Sequence, residues 1–232
     1  MANTNKKTPD NNKKKGFIRD THKSFLVKKA DYSWGGQYDM PGIRKQDIKA
    51  EEIQKLVLFS KAAKINKKEL RESWVHFYED DYEFERIWNN PKQYLNMLKK
   101  AAGVISPDFS LYRNMPLAMQ IWNTYRNRAI GSYLQQNGIK VIPNISFGDE
   151  KTYSFCCDGA EPGGIISIGS HGTLKNKEDK EYLIKGLEFS LLELNPTTII
   201  IYGAANKQML EIINRYGIKY IVFESDFAKS RK

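Results

Sequence analysis

The chain has 232 residues, 41% of them hydrophobic and 12% aromatic, which suits one α/β domain of ordinary size and is too apolar for a disordered chain. No apolar run approaches the roughly 18–20 residues that span a bilayer, and no apolar stretch follows the basic N-terminus as a secretory signal would require. The net charge of +10 sits at the ends: nine Lys/Arg against two Asp in the first 30 residues and three cations in the last four leave the remainder neutral.

Residues 1–22 are rich in Lys and Asn, show no periodicity, and are expected to form a disordered basic arm. Residues 23–228 read as a single α/β domain and 229–232 as a basic tail. The segment 31–45, DYSWGGQYDMPGIRK, mixes aromatics, Gly and Pro and reads as an ordered loop. Then an alternation begins. Strands are expected at 55–60 (KLVLFS) and 74–79 (WVHFYE), and a helical stretch at 82–102 is broken at Asn90-Pro91, with Pro91 opening a second helix. A strand at 103–107 follows, then a helix at 116–137 and a strand at 139–145. Asn114 and Pro116 suit the start of that helix and Gly138 its end. Its stripe of Leu117, Ile121, Trp122, Tyr125, Ala129, Tyr133 and Leu134 recurs at three- and four-residue steps, as in a helix packed on a sheet. Downstream come a strand at 164–168, a helix at 177–194, a strand at 197–202, a helix at 206–216 and a strand at 218–223.

Seven strand segments separated by helices, several of them continuously apolar, point to parallel strands. The expected architecture is a compact or incomplete TIM-like β/α barrel of seven to eight strands, with an open doubly wound sheet as the alternative.

In either fold the chemistry belongs at the carboxyl ends of the strands. Asp108 and Ser110 follow one strand and Asn144 the next, so polar side chains gather at neighbouring strand ends. Asp108 reads as a general base or hydrogen-bond acceptor, or as a turn or helix cap. Asn123 and Arg126 share a helix face and could hold phosphate or carboxylate, or form a solvated face with an ion pair; Arg128 reads as the solvated kind. Ser170, His171 and Gly172 follow a late strand, where backbone N–H groups could cradle an anion. His171 is the acid–base candidate there, and Tyr202 ends the next strand. The carboxylates Glu79, Asp80 and Asp81 could hold Mg²⁺ or complement the dipole of the following helix. With three histidines and the adjacent pair Cys156-Cys157, no zinc-ligand spacing and no disulfide scaffold exists, which fits a reducing cytoplasm. The residues assign no metal and no cofactor. The basic arm admits nucleic acid as a partner through counterion release, and the strand ends admit a phosphorylated small molecule.

The stretches HFYEDDYEFERIWNNPKQYL, ISPDFSLYRNMPLAMQIWNTYRNRAIGSYLQQNGIKVIPNISF, FCCDG and IIIYG resemble the phage and mobile-element family catalogued as domain of unknown function 4417, over about residues 45–205. That resemblance implies a phage or integrative-element origin and brings no activity with it. A fainter similarity links Asp108, the segment 165–172 and Tyr202-Gly203 to the barrel of tRNA-guanine transglycosylases, but their zinc-binding Cys/His cluster and a second aspartate are missing. The expected function is an enzyme acting on a nucleotide, nucleobase or phosphorylated ligand; the competing expectation is a non-catalytic accessory protein that contacts nucleic acid or a host protein.

If the arm carries no fold, deleting residues 1–21 leaves the melting temperature nearly unchanged. If it binds nucleic acid, the same deletion flattens the dependence of log affinity on log salt. An unchanged slope moves the contact onto the folded domain.

Overall fold

The computed structural model describes residues 23–170 and 176–226. The arm at 1–22, the tail at 229–232, His171 and Gly172 lie outside the described residues. All seven expected strands form: β1 Leu56–Leu58, β2 Trp74–His76, β3 Gly103–Ile105, β4 Val141–Ile142, β5 Ile165–Gly169, β6 Thr198–Tyr202 and β7 Lys219–Phe223. The helices α1 Phe59–Ala62 and α2 Lys67–Arg71 stand between β1 and β2, where the sequence pattern shows no helix. Both are too short to display a 3.6-residue period. The remaining helices are α3 Asp81–Asn89, α4 Pro91–Leu98, α5 Leu117–Gln136, α6 Lys177–Leu194 and α7 Lys207–Arg215. Among the described residues no helix is long and apolar enough to cross a membrane.

Every strand pairing is parallel and the order is consecutive, β1-β2-β3-β4 in one sheet and β5-β6-β7 in a second. One bridge joins the two, where Ile145 N donates to Ser167 O at 2.8 Å and Ser167 N to Pro143 O at 2.9 Å. Alternation along the strands divides their side chains between two faces. Val75, Phe77, Val104 and Val141 join helix residues in one apolar cluster, and Ile166, Ile168, Ile199 and Ile201 join α6 and α7 in another. The opposite face packs on itself. Trp74, Ile105, Ile142, Ile165 and Ile200 form a third cluster that includes no residue of any α-helix.

A consecutive order with helices on a single face is not doubly wound, because that fold needs a reversal of order and helices on both faces. Nor is a closed barrel formed. Among the described residues β1 and β7 each pair along one edge only; between them, Leu56, Ile221 and Phe223 pack on the same apolar cluster, and a Lys61–Asp226 ion pair at 2.9 Å reaches from α1 to the segment after β7. Exposed pairs of this kind contribute little.

The expected apolar stripe of α5 is only half right. Ala129, Tyr133 and Leu134 are buried, but Leu117 and Trp122 are exposed, while Gln120, Asn123, Arg126, Asn127 and Arg128 lie inside. The reason is local. The part of α5 up to Arg128 faces irregular segments whose backbone groups need polar partners, and the part from Ala129 on faces the regular sheet.

Gly103 lets the inner face close. A Cβ there would stand 2.3 Å from the Trp74 ring, itself fully buried. Gly103→Ala should therefore lower the unfolding free energy by about 1–3 kcal/mol, the usual range for overpacking. Pairing it with Trp74→Leu should give a coupling in urea unfolding that recovers part of that loss.

Candidate functional site

Five strands, β2 to β6, contribute polar or aromatic groups to one network at or near their carboxyl ends. Tyr78, just past β2, stacks on Tyr202 with ring centroids 4.8 Å apart and planes within 9°, and His76 lies 4.5 Å from the same Tyr202 ring. The Tyr78 hydroxyl donates to Asn144 Oδ1 at 2.8 Å and shares a 2.6 Å hydrogen bond with Ser167 Oγ. This fixes the Asn144 amide. Its Nδ2 is then turned to donate to Asp108 Oδ1 at 2.7 Å and to Ser146 Oγ at 2.9 Å. Ser146 Oγ in turn donates to Asp108 Oδ1 at 2.6 Å.

One oxygen of Asp108 thus carries both donors. Among the described residues the other, Oδ2, takes no hydrogen bond and lies on the Gly169 side, 3.7 Å from where a Cβ on that glycine would stand. The side chain is closely surrounded yet keeps an edge on the cleft. Burial pushes its pKa up to about 6; the bonds from Ser146 and Asn144 pull the other way, and the nearby Asp81 charge adds to the rise. A carboxyl near 6 can exchange a proton close to neutral pH.

The turn bearing Asp108 is anchored on both sides. Asp81, in the first turn of α3, accepts from Ser110 N at 3.2 Å and Ser110 Oγ at 2.8 Å. Asn123 Nδ2 donates to Ser110 O at 2.6 Å, and Asn123 Oδ1 accepts from Arg126 Nη2 at 2.6 Å. Arg126 Nη1 meets both Glu85 oxygens at 2.8 Å, and the guanidinium lies 3.8 Å from the Phe109 ring centroid. Ser110 and Asn123 therefore spend their polar groups on holding the turn, as does Arg126 apart from its buried Nε, which has no partner among the described residues, and Arg126 and Asn123 do not line the cleft.

Arg128 is not the solvated residue that its place on the helix suggests. It is buried, and its guanidinium donates to the carbonyls of Asn144 (2.8 Å), Asp158 (2.7 Å) and Cys156 (2.7 Å) and to Asn127 Oδ1 (3.0 Å). Desolvation lowers its pKa to about 10, still far above neutrality. Asn127 Nδ2 also donates to the Asn144 carbonyl, and Ser106 Oγ donates to Asn127 Oδ1. Cys156 and Cys157 are free, buried thiols.

A broad cleft opens over this network, lined by Tyr78, Asp108, Ser110, Ser146 and Gly169 among others. Of the residues singled out in the sequence, Asp108, Ser110 and the carboxylates Glu79, Asp80 and Asp81 line it, and Asn144 stands behind Asp108. Tyr202 is buried in the aromatic stack, its hydroxyl accepting from Asp226 N at 3.0 Å. Ser170 Oγ donates to Ala204 O at 2.6 Å and so ties the end of β5 to the turn after β6. The acidic residues divide their tasks: Glu79 Oε1 accepts from Ser60 N at 3.0 Å, Asp81 serves Ser110, and Glu85 serves Arg126. Burial raises the Glu79 pKa. Among the described residues no three His, Cys, Asp or Glu side chains converge as metal ligands.

Tyr78 and Ser146 are the site residues that the sequence reading does not single out. Strand parity carried the signal: Tyr78 follows Trp74 and His76 at steps of two, and Ser146 follows Asn144.

The Asp108 shift fixes a sign. Its folded pKa lies above its unfolded one, so the stabilisation from the protonated form is complete below about 4 and is lost as pH rises through about 6. Relative to Asp108→Asn, the wild type should lose up to about 3 kcal/mol of unfolding free energy between pH 4 and 7. A constant difference across that range would mean an unperturbed carboxyl. Arg128→Met strands three buried carbonyls and should cost about 3–5 kcal/mol in denaturant unfolding, with Arg128→Lys rescuing little because one ammonium cannot span them.

Gene 1 protein of Mycobacterium phage L5 is 40% identical over 129 residues, 56% of this chain and 56% of that protein. Gene 1 protein of Mycobacterium phage D29 is 37% identical over 129 residues, 56% of this chain and 48% of that protein. The chain spans about half the length of these curated relatives. No solved structure matches. The family described as Domain of unknown function (DUF4417) matches through its sequence model from residue 32 to residue 221, so the buried arginine, the Asp108 turn and all but the end of the last strand fall inside the match, and the chain belongs to that family.

Proposed function

We propose that the domain is an incomplete β/α barrel that acts on a small ligand of the nucleotide, nucleobase or phosphorylated class at the carboxyl ends of its strands. Asp108 is the acid–base group of this reading. The observation that carries it is the division of labour within one carboxylate: Oδ1 is held by Asn144 and Ser146, and Oδ2 is left toward the cleft.

A turn or helix cap would spend the carboxylate on nearby backbone N–H groups. Asp108 instead bonds two side chains from beyond β4, and its orientation traces back through Asn144 to Tyr78 and Ser167. Such a chain of fixed dipoles holds a base in one geometry before the ligand arrives. In the ionised form, Oδ2 accepts a hydrogen bond from a ligand N–H or O–H, or takes the proton and leaves the electron pair on the ligand atom. In the protonated form it returns that proton.

A second reading, a non-catalytic accessory protein contacting nucleic acid or a host protein, draws on the excess of basic residues in the first 30 positions and the last four. It needs no ligand in the cleft.

A thermal-shift screen of nucleobases, nucleosides and sugar phosphates separates the two. On the first reading a ligand raises the melting temperature, and Asp108→Asn abolishes the rise while leaving the apo protein folded. Ser146→Ala removes a bond that holds the Asp108 pKa down, so its acid limb of binding should move above pH 6. Wild-type binding by Asp108→Asn, Asn144→Ala and Ser146→Ala together would remove the reason for placing a site here.

A further inference from the structure

We propose that Tyr82 and Tyr112 stack a planar, uncharged or cationic heteroaromatic base whose N–H is presented to Asp108. This rests on the Asp108 reading and narrows it from several ligand classes to one.

Both side chains are conspicuous for what they do not do. Tyr82 is 75% exposed and Tyr112 61%, the two highest values among the large hydrophobic side chains of the described residues. Neither belongs to an apolar cluster or has a ring partner there. Scattered surface aromatics need no explanation, but these two line one cleft together with Asp108.

Their placement is fixed. Tyr82 is the second residue of α3, beside Asp81, and Tyr112 lies two residues past Ser110. The 2.8 Å bond from Ser110 Oγ to Asp81 joins the two segments, and Asn123 secures the second to α5. The rings therefore sit on a braced rim. A flat π-face of this kind suits a heteroaromatic ring, which stacks on it whatever its substituents.

Carboxylates outnumber cations in the cleft lining, six against four (Lys61, Lys64, Arg86 and Arg113), which weighs against a phosphate at this rim. Asp80 and Glu83 flank Tyr82 closely enough to raise its phenol pKa. The cation nearest in sequence to Tyr112, Arg113, is engaged by Glu178 and Asp179 and lies 4.5 Å from the Tyr182 ring centroid. An anion would meet carboxylates there, whereas the N–H edge of a base meets acceptors.

The test is calorimetric titration of the full chain with adenosine, guanosine, cytidine and uridine, and with inorganic phosphate and ribose 5-phosphate. At least one nucleoside should bind, and neither phosphate probe should match it. Tyr82→Ala and Tyr112→Ala should weaken nucleoside binding about 5- to 150-fold, with unchanged melting temperatures, while Tyr82→Phe and Tyr112→Phe retain it. Unchanged binding in both Ala variants overturns the proposal, as does equal binding of ribose 5-phosphate or no nucleoside binding by the wild type. If Asp108→Asn loses the nucleoside and both Ala variants keep it, the stacking rim falls and the Asp108 site stands. If the Ala variants lose it and Asp108→Asn keeps it, the acid–base reading falls instead.

Discussion

The candidate site depends on one buried cation. Arg128 lies in the interior, makes no ion pair among the described residues, and is solvated by main-chain carbonyls at the ends of two different segments. Burying a guanidinium is costly unless its donors are satisfied, and here the acceptors come from residues 144, 156 and 158. The arginine therefore draws the segment that follows β4 and the loop at 155–160 against the same helix. Its bond to the Asn144 carbonyl sets the backbone from which the Asn144 side chain reaches Asp108. Stability and site geometry are coupled at this residue, because the same donors serve both.

The helix α5 explains how one element carries two kinds of surface. Its C-terminal half buries Ala129, Ile130, Tyr133 and Leu134 against the sheet, as an ordinary amphipathic helix does. Its first three turns, through Arg128, bury amides and guanidinium groups against turns whose carbonyls have no strand partner. A turn at a strand end can be irregular only if something satisfies its backbone. In this molecule Asn123, Asn127 and Arg128 do so.

The strands were legible because each is a short run of β-branched or aromatic residues bounded by turn residues, and α6 was legible from its leucine repeat. Two one- to two-turn helices after β1 were not, since a pattern needs length to show. The polar turns after β3 and β4 stood out in the sequence, and Asp108 and Asn144 do meet there. What the sequence could not give was the direction of each side chain. Arg128 and Arg126 differ by two positions on one helix, yet one is enclosed by carbonyls and the other reaches Glu85 on α3. Only three-dimensional contact separates them. Tyr78 escaped notice because its role comes from Asn144, 66 residues away.

The joint between the two sheets has a consequence of its own. Backbone continuity there is reduced to the Asn144–Ser167 bridge, so the four-stranded and three-stranded halves are held largely by the side chains that cross the seam. Several of those are the polar groups of the site, with Tyr78 and Asn144 on one side and Ser167 and Tyr202 on the other. A molecule bound in the cleft over Asp108 and Gly169 would act as a rivet across the thinnest part of the sheet. Occupancy would then be felt as cooperativity: the halves, separable as sub-global opening units when the cleft is empty, would open as one when it is filled.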